Sequence, residues 1–156
     1  MKGNGRAVCL PADIDTDVII AGRYLRTKDR SVWAEHVFED LDPNLAPAIR
    51  GAVIVAGKNF GCGSSREQAA IALKEAGVVA VIAPSFARIF FRNAINIGLP
   101  LIESNLPCQP GTLVAFDLAE GWVNTGEKRI AFRLLSPRMQ EILAAGGLVE
   151  YWRNRK

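Results

Sequence analysis

Gly51-Ala-Val-Ile-Val-Ala-Gly57, Val78-Val-Ala-Val-Ile-Ala83 and Leu99-Pro-Leu-Ile102 are three short apolar runs, and the two segments between them have helical character. The first run lies between glycines and suits a buried strand. After a loop of small and polar residues, Lys58 to Gly63, the segment Ser64 to Ala76 is rich in helix formers, and Gly77 follows as its C-terminal cap. Residues 85 to 97 place Phe86, Ile89, Phe90, Ala94 and Ile97 at helical spacing, with Gly98 after them. This strand–helix–strand–helix–strand order implies a small parallel sheet with right-handed crossovers and flanking helices, an α/β fold.

The flanks read differently. Thr112 to Leu118, Trp122 to Thr125 and Ile130 to Leu134 alternate with turn residues, and are expected to add antiparallel strands as a meander or barrel-like edge. Ser136-Pro137 is a cap followed by a first-turn proline, opening a last helix that Gly146-Gly147 stops. Arg30 to Leu41 is a further expected helix. No repeat or low-complexity linker interrupts the chain. Its 156 residues are 49% apolar and 22% charged, which excludes disorder, collagen-like repeats and a disulfide-rich miniature. A net charge of +3 is too mild for a nucleic-acid binder, and the one dense basic run is the tail Arg153, Arg155, Lys156. No signal-peptide core fits the N-terminus. The uncharged run Ala76 to Ala87 is broken by Pro84 and falls short of the roughly 20 residues a spanning helix needs, so no membrane role is expected. Cys9, Cys62 and Cys108 are odd in number and far apart, which suggests free thiols and a reducing compartment, the cytoplasm.

The loop Gly57-Lys-Asn-Phe-Gly-Cys-Gly-Ser-Ser-Arg-Glu67 joins a strand end to a helix start, the place where open α/β sheets bind anionic ligands. Nucleotide fingerprints fail there: Gly61-x-Gly63 would need glycine where Arg66 stands, and Gly57-Lys58 continues with Asn59 rather than Ser or Thr. A carboxylate or phosphate on a small metabolite fits better. Ser64 and Glu67 have the spacing of a capping box, so Ser64 reads as a helix cap. Capping and catalysis can coexist, because a helix N-terminus stabilises an alkoxide as it does any anion. Arg66, one turn into the expected helix, suits either a bidentate pair with a substrate carboxylate or a surface ion pair.

Asp13-Ile-Asp-Thr-Asp17 spaces carboxylates as calcium loops do, but Val18 and Tyr24 stand where glycine and glutamate are required. A turn of Asx type is the simpler reading, a carboxylate positioning a ligand the alternative. The lone His36 sits among Trp33, Val37 and Phe38 and reads as a packed or surface residue, which leaves a Ser-His-Asp triad without support. Three isolated cysteines lack any spacing that suits an iron–sulfur cluster or other metal site in this chain.

Together, Asp13-Ile-Asp-Thr-Asp-Val-Ile-Ile20, Gly57 to Glu67 and Ser85-Phe-Ala-Arg-Ile-Phe-Phe-Arg-Asn93 resemble the small-subunit family of 3-isopropylmalate dehydratase, the counterpart of the swivelling C-terminal domain of aconitase. The resemblance runs from residue 6 to about 152 and implies one swivel domain, residues 1–156. It also implies a shared active site. A separate large subunit would carry a 4Fe–4S cluster with one open iron, as heterodimer or heterotetramer, and this chain would bind no cofactor itself. The small subunit would close over a small diacid substrate. Carried over residue by residue, Ser64 takes the base role, Ser65 and Arg66 contact substrate, and Asp17 helps arrange the site. Arg88 matches too, with a structural or positioning role. The implied reaction is dehydration and rehydration of 2-isopropylmalate to 3-isopropylmalate in leucine biosynthesis.

The loop Gly22-Arg-Tyr-Leu-Arg-Thr27, placed after a strand carrying Asp17, is the segment the resemblance associates with reading the substrate's variable group. An isopropyl group calls for an apolar wall, whereas Arg26 would pair with an additional carboxylate. There the sequence resembles homoaconitase-type or broad-specificity relatives acting on citraconate or 2,3-dimethylmalate. A non-catalytic dicarboxylate-binding module is the alternative from another class, and an RNA-binding role finds little support in the charge.

Overall fold

The computed structural model describes residues 1–155. Seven strands form one sheet in the order β4-β3-β2-β1-β5-β6-β7: β1 (Lys2–Leu10), β2 (Val53–Ala56), β3 (Ala80–Ala83), β4 (Leu101–Glu103), β5 (Leu113–Asp117), β6 (Trp122–Asn124) and β7 (Arg129–Ala131). The expected parallel block is present as β1 to β4. The expected meander is also present, and continues the same sheet rather than forming a separate barrel-like edge.

The sheet is joined across β1, which was not anticipated. Lys2 to Arg6 pair antiparallel with β5, and Ala7 to Leu10 pair parallel with β2. Two glycines disguise this strand, because they weaken β-propensity. Here close packing demands them. A Cβ on Gly3 would lie 2.6 Å from the Phe116 ring, and one on Gly5 would lie 2.5 Å from the Gly51 carbonyl oxygen.

Side chains alternate across the sheet into two cores. Ile54, Val81 and Leu101 face α4 (Glu67–Glu75) and α2 (Arg30–Glu35), together with Ile19, Phe38 and Phe60. Val53, Val55, Ile82 and Ile102 face α6 (Pro137–Ala145) and α7 (Leu148–Arg153), with Val114, Phe116 and Tyr151. The helix α5 (Arg88–Asn96) contributes Phe90 and Ala94 to the first core and Ile95 to the second. Short helical turns α1 (Thr16–Ile19) and α3 (Leu45–Ala48) complete the first layer.

Four local expectations change. Asp17 lies in the α1 turn, not on a strand, because the Asp15 carboxylate accepts the Asp17 N–H at 2.7 Å and starts a helix. The helix expected over 30–41 ends at Glu35, where burial of Val37 and Phe38 bends the chain. Phe38 takes a φ of +58° and donates its N–H to the Ile19 carbonyl at 2.9 Å. The helix α4 begins at Glu67, with Arg66 as its N-cap, so Ser64 forms no capping box. Gly146-Gly147 do stop α6, but the chain then enters α7.

Gly51 cannot retreat from Gly5, since its own N–H is bonded to the Gly77 carbonyl at 2.8 Å. Gly5→Ala should therefore lower unfolding free energy by about 1–3 kcal/mol through overpacking against fixed backbone. A urea unfolding midpoint equal to that of the parent chain would refute this account.

Candidate active site

The first four strands run parallel, so their C-terminal ends share one edge, where ligands of open α/β sheets bind. Three segments leaving β1, β2 and β3 are laced together there by their backbones. Asp13 N–H donates to the Lys58 carbonyl, Gly61 N–H to Ile14 and Thr16 N–H to Cys62, each at 2.8 Å. On the other side, Phe60 N–H donates to Ser85 at 3.1 Å and Ala87 N–H to Phe60 at 3.0 Å. The segment 57–63 is thus the middle ribbon of three. Its glycines are required by this contact: a Cβ on Gly57 would lie 2.6 Å from the Ala12 nitrogen. Gly61 and Gly63 have φ of +85° and +92°, and side chains there would collide with Phe90 and with the Asp15 carboxylate.

The ribbon delivers Ser64, Ser65 and Arg66 to the mouth of a hollow of about 530 Å³, whose far wall is the first two turns of α5, including Arg88, Ile89, Arg92 and Asn93. Ser64 is exposed and its hydroxyl caps no helix. The buried Thr16 hydroxyl donates to the Ser64 carbonyl at 2.9 Å and lies 3.4 Å from the Ser64 hydroxyl. The N-terminus of α4 has no side-chain cap; the Ala69 N–H turns back to the Arg66 carbonyl at 3.2 Å, and the positive end of the helix favours negative charge at this point.

Arg66 Nη1 lies 2.9 Å from the Asp17 carboxylate, yet it is buried without an aligned hydrogen-bond acceptor among the described residues. The pair is held by charge rather than by a well-directed bond, and Arg66 also lines the hollow, where the rest of its guanidinium can meet an anion. Asp17 reaches Arg66 from outside the hollow. Cys62, two residues before Ser64, has its thiol pushed up by burial and by the Asp15 and Asp13 carboxylates, so it stays protonated at neutral pH.

The structure brings together Ser64, Ser65, Arg66 and Asp17 from the sequence reading. Arg26 is not among the residues lining the hollow; it stands exposed on the turn after Gly22–Tyr24. That turn borders the site, since a Cβ on Gly22 would lie 3.3 Å from Arg66 Nη1. Sequence reasoning missed Thr16, whose burial beneath Ser64 has no signature in the Asp13–Asp17 run, and missed Arg92 and Asn93. Their signal was helical spacing: four and five residues after Arg88, they share its end of α5. Among the described residues no three His, Cys, Asp or Glu side chains gather as a metal site, and Cys9 and Cys108, with sulfurs 4.0 Å apart, pair away from Cys62. The described residues offer no cysteine set that would hold an iron–sulfur cluster.

An open hollow at a strand-end ribbon, with an uncapped helix N-terminus, a serine and an arginine, is a geometry suited to an anion on an α/β domain. Residues 12–105 match the model of the aconitase C-terminal domain. The 3-isopropylmalate dehydratase small subunit of Aliarcobacter butzleri is 52% identical over 145 residues, covering 90% of this chain and 87% of that protein. The methanogen homoaconitase small subunit of Methanothermobacter thermautotrophicus is 50% identical over 151 residues, covering 95% and 89%. A crystal structure titled 3-isopropylmalate dehydratase (leuD), from Methanocaldococcus jannaschii, superposes with a TM-score of 0.94 at 48% identity, covering 99% of this chain and 95% of that one. The chain therefore belongs to the aconitase C-terminal-domain family, in its branch of 3-isopropylmalate dehydratase small subunits.

Thr16→Val keeps the shape of the buried residue but leaves the Ser64 carbonyl without its side-chain donor. Unfolding free energy should fall by about 1 kcal/mol, as for loss of one neutral hydrogen bond. Urea titration of the two chains checks this.

Proposed function

We propose that this chain is the small-subunit half of a 3-isopropylmalate dehydratase active site, converting 2-isopropylmalate to 3-isopropylmalate, with residues 1–156 acting as one swivelling domain. The observation that carries the reading is Ser64: its hydroxyl is not spent as a helix cap, and it stands over a buried Thr16 beside an arginine that lines the hollow.

The proton to be removed lies alpha to a carboxylate and is weakly acidic, so the charge that develops on that carboxylate must be stabilised. In this reading the Ser64 hydroxyl, deprotonated, accepts that proton. The uncapped α4 N-terminus favours the alkoxide, and the Thr16 hydroxyl, by donating to the Ser64 carbonyl, holds the residue in place. Arg66 grips a carboxylate with the part of its guanidinium that lines the hollow, Ser65 adds a hydroxyl donor, and Asp17, on Nη1, keeps the guanidinium from swinging away. A 4Fe–4S cluster, held by the large subunit rather than by residues of this chain, would supply the Lewis acid for the departing hydroxyl. Return of the proton and hydroxyl with opposite regiochemistry moves the hydroxyl by one carbon.

The hollow is open on this chain, and the relatives it matches are named small subunits, which supports activity only in complex with the large subunit, in a heterodimer or heterotetramer. The free thiols Cys9, Cys62 and Cys108 suit a reducing compartment, the cytoplasm. A homoaconitase-type specificity is the second reading. It is favoured by Arg26, an exposed cation on the turn that borders Arg66, and by the similarity to a homoaconitase small subunit.

Reconstituted with its large subunit under anaerobic conditions, the wild-type chain should turn over 2-isopropylmalate, and the isolated chain should not. Ser64→Ala should lower kcat by about 10²–10⁴-fold, the usual scale for losing a general base. Arg66→Lys should mainly raise KM, since a lysine cannot hold a carboxylate in two places. Turnover by the isolated chain, or full activity of Ser64→Ala, would overturn the reading.

A second experiment addresses specificity. Arg26→Ala should leave isopropylmalate turnover intact and cost activity only on substrates with a distal carboxylate. Equal loss on all substrates would mean that Arg26 does not read the variable group.

A further inference from the structure

The turn Gly22–Tyr24, close enough to Arg66 that a Cβ on Gly22 would lie 3.3 Å from Nη1, is tied on its far side to two carboxylates, of which Glu39, 15 residues beyond Tyr24, holds both Tyr24 and Arg23. Glu39 accepts a short hydrogen bond from the Tyr24 hydroxyl and one from Arg23 Nη2 at 3.0 Å, and its second oxygen meets His36 Nδ1. The His36 ring stacks flat on Tyr24, with centroids 4.0 Å apart and planes 6° from parallel. Arg23 also forks onto Asp40 at 2.7 and 3.2 Å. The reaction scheme above uses none of these groups.

Glu39 is itself anchored. Its neighbour Phe38 is fully buried and bonded to Ile19, and the Glu39 N–H donates to the His36 carbonyl at 3.2 Å. The turn is stiff as well, with Tyr24 N–H on the Ala21 carbonyl and Leu25 N–H on Gly22, both at 3.1 Å. Contacts therefore run from the core through Glu39 to Tyr24 and Arg23, and the turn they hold passes so near the Arg66 guanidinium that a Cβ on Gly22 would lie 3.3 Å from Nη1. Arg66 Nη1 sits between the Asp17 carboxylate and the narrow space beside Gly22, so a shift of the turn changes the room the guanidinium has and hence its angle.

We infer that Glu39 is a positioning residue for Arg66: it fixes the turn 22–24 through Tyr24 and Arg23, and thereby sets the angle of the carboxylate-binding guanidinium. Exposed ion pairs alone contribute little, but here a planar stack and converging hydrogen bonds hold one geometry. Bonds from Tyr24, His36 and Arg23 hold the Glu39 carboxyl down at about 2, so the anchor stays ionised through mildly acid conditions. This inference rests on the dehydratase reading for its kinetic test only.

The test is Glu39→Gln, with Tyr24→Phe as a milder second variant that removes one bond to the anchor. Each is reconstituted with the large subunit and assayed on 2-isopropylmalate, while the Arg66 Nε–Hε resonance of the isolated chain is followed by NMR. Glu39→Gln should raise KM at least fivefold with kcat within twofold and subunit association unchanged, and should shift the Arg66 resonance. Tyr24→Phe should do the same to a smaller degree, and Glu150→Gln, in an exposed pair with Arg153, should do neither. An unmoved KM and an unmoved Arg66 resonance would overturn the inference. So would a parallel collapse of kcat, KM and association, which marks a merely structural role. Absence of turnover by the wild-type complex would instead sink the dehydratase reading, and the Arg66 resonance would then decide the positioning claim by itself.

Discussion

The backbone lacing of residues 11–17, 57–63 and 85–87 is the constraint from which the site follows. Loops at strand ends usually spend their polar backbone groups on water. Here three of them spend those groups on one another, at 2.8 to 3.1 Å, so they behave as a frayed continuation of the sheet. That arrangement needs glycine where the middle ribbon passes Ala12, Phe90 and the Asp15 carboxylate, and it explains the density of glycine at 57, 61 and 63 better than ligand approach does. The chemistry sits one residue beyond the last of these contacts, where the lacing ends and Ser64 emerges.

Rigid backbone and spare valence are combined at this point. The Thr16 hydroxyl serves the Ser64 carbonyl, the Asp15 carboxylate serves the Asp17 N–H, and Asp17 balances Arg66. What is left lightly held is the Ser64 hydroxyl, the uncapped start of α4 and the part of the Arg66 guanidinium that lines the hollow. In the proposed function these are the groups that meet a carboxylate, and fixing them before binding would be electrostatic preorganisation.

The parallel block was legible because buried strands and amphipathic helices carry strong periodicity. Gly77, Gly98 and Ser136-Pro137 marked their boundaries correctly. Strand β1 was illegible, since Gly3 and Gly5 are chosen by contacts with Phe116 and Gly51 that are more than 40 residues away in the chain. Phe38 ended its helix early for a similar reason: burial outweighed local propensity. The Ser64–Glu67 spacing gave a capping box that does not form, because the lacing carries the chain too far before it enters α4 at Glu67. Of the site, Ser64 to Arg66 and Asp17 could be read through motif resemblance, whereas Thr16 and the α5 wall depend on tertiary placement.

The division of β1 between two partners has a consequence for how the molecule is made. Its latter half can pair with β2 once residues 53 to 56 exist, but its first half waits for residues 113 to 117. Emerging from the ribosome, the chain can assemble the ribbon that bears Ser64 while Lys2 to Arg6 still present an unpaired edge. Non-local pairing of this kind is slow and exposes such edges to other chains. The polar, glycine-containing makeup of this stretch, Lys2-Gly-Asn-Gly-Arg6, is a poor template for aggregation, and suits a segment that must remain open during synthesis.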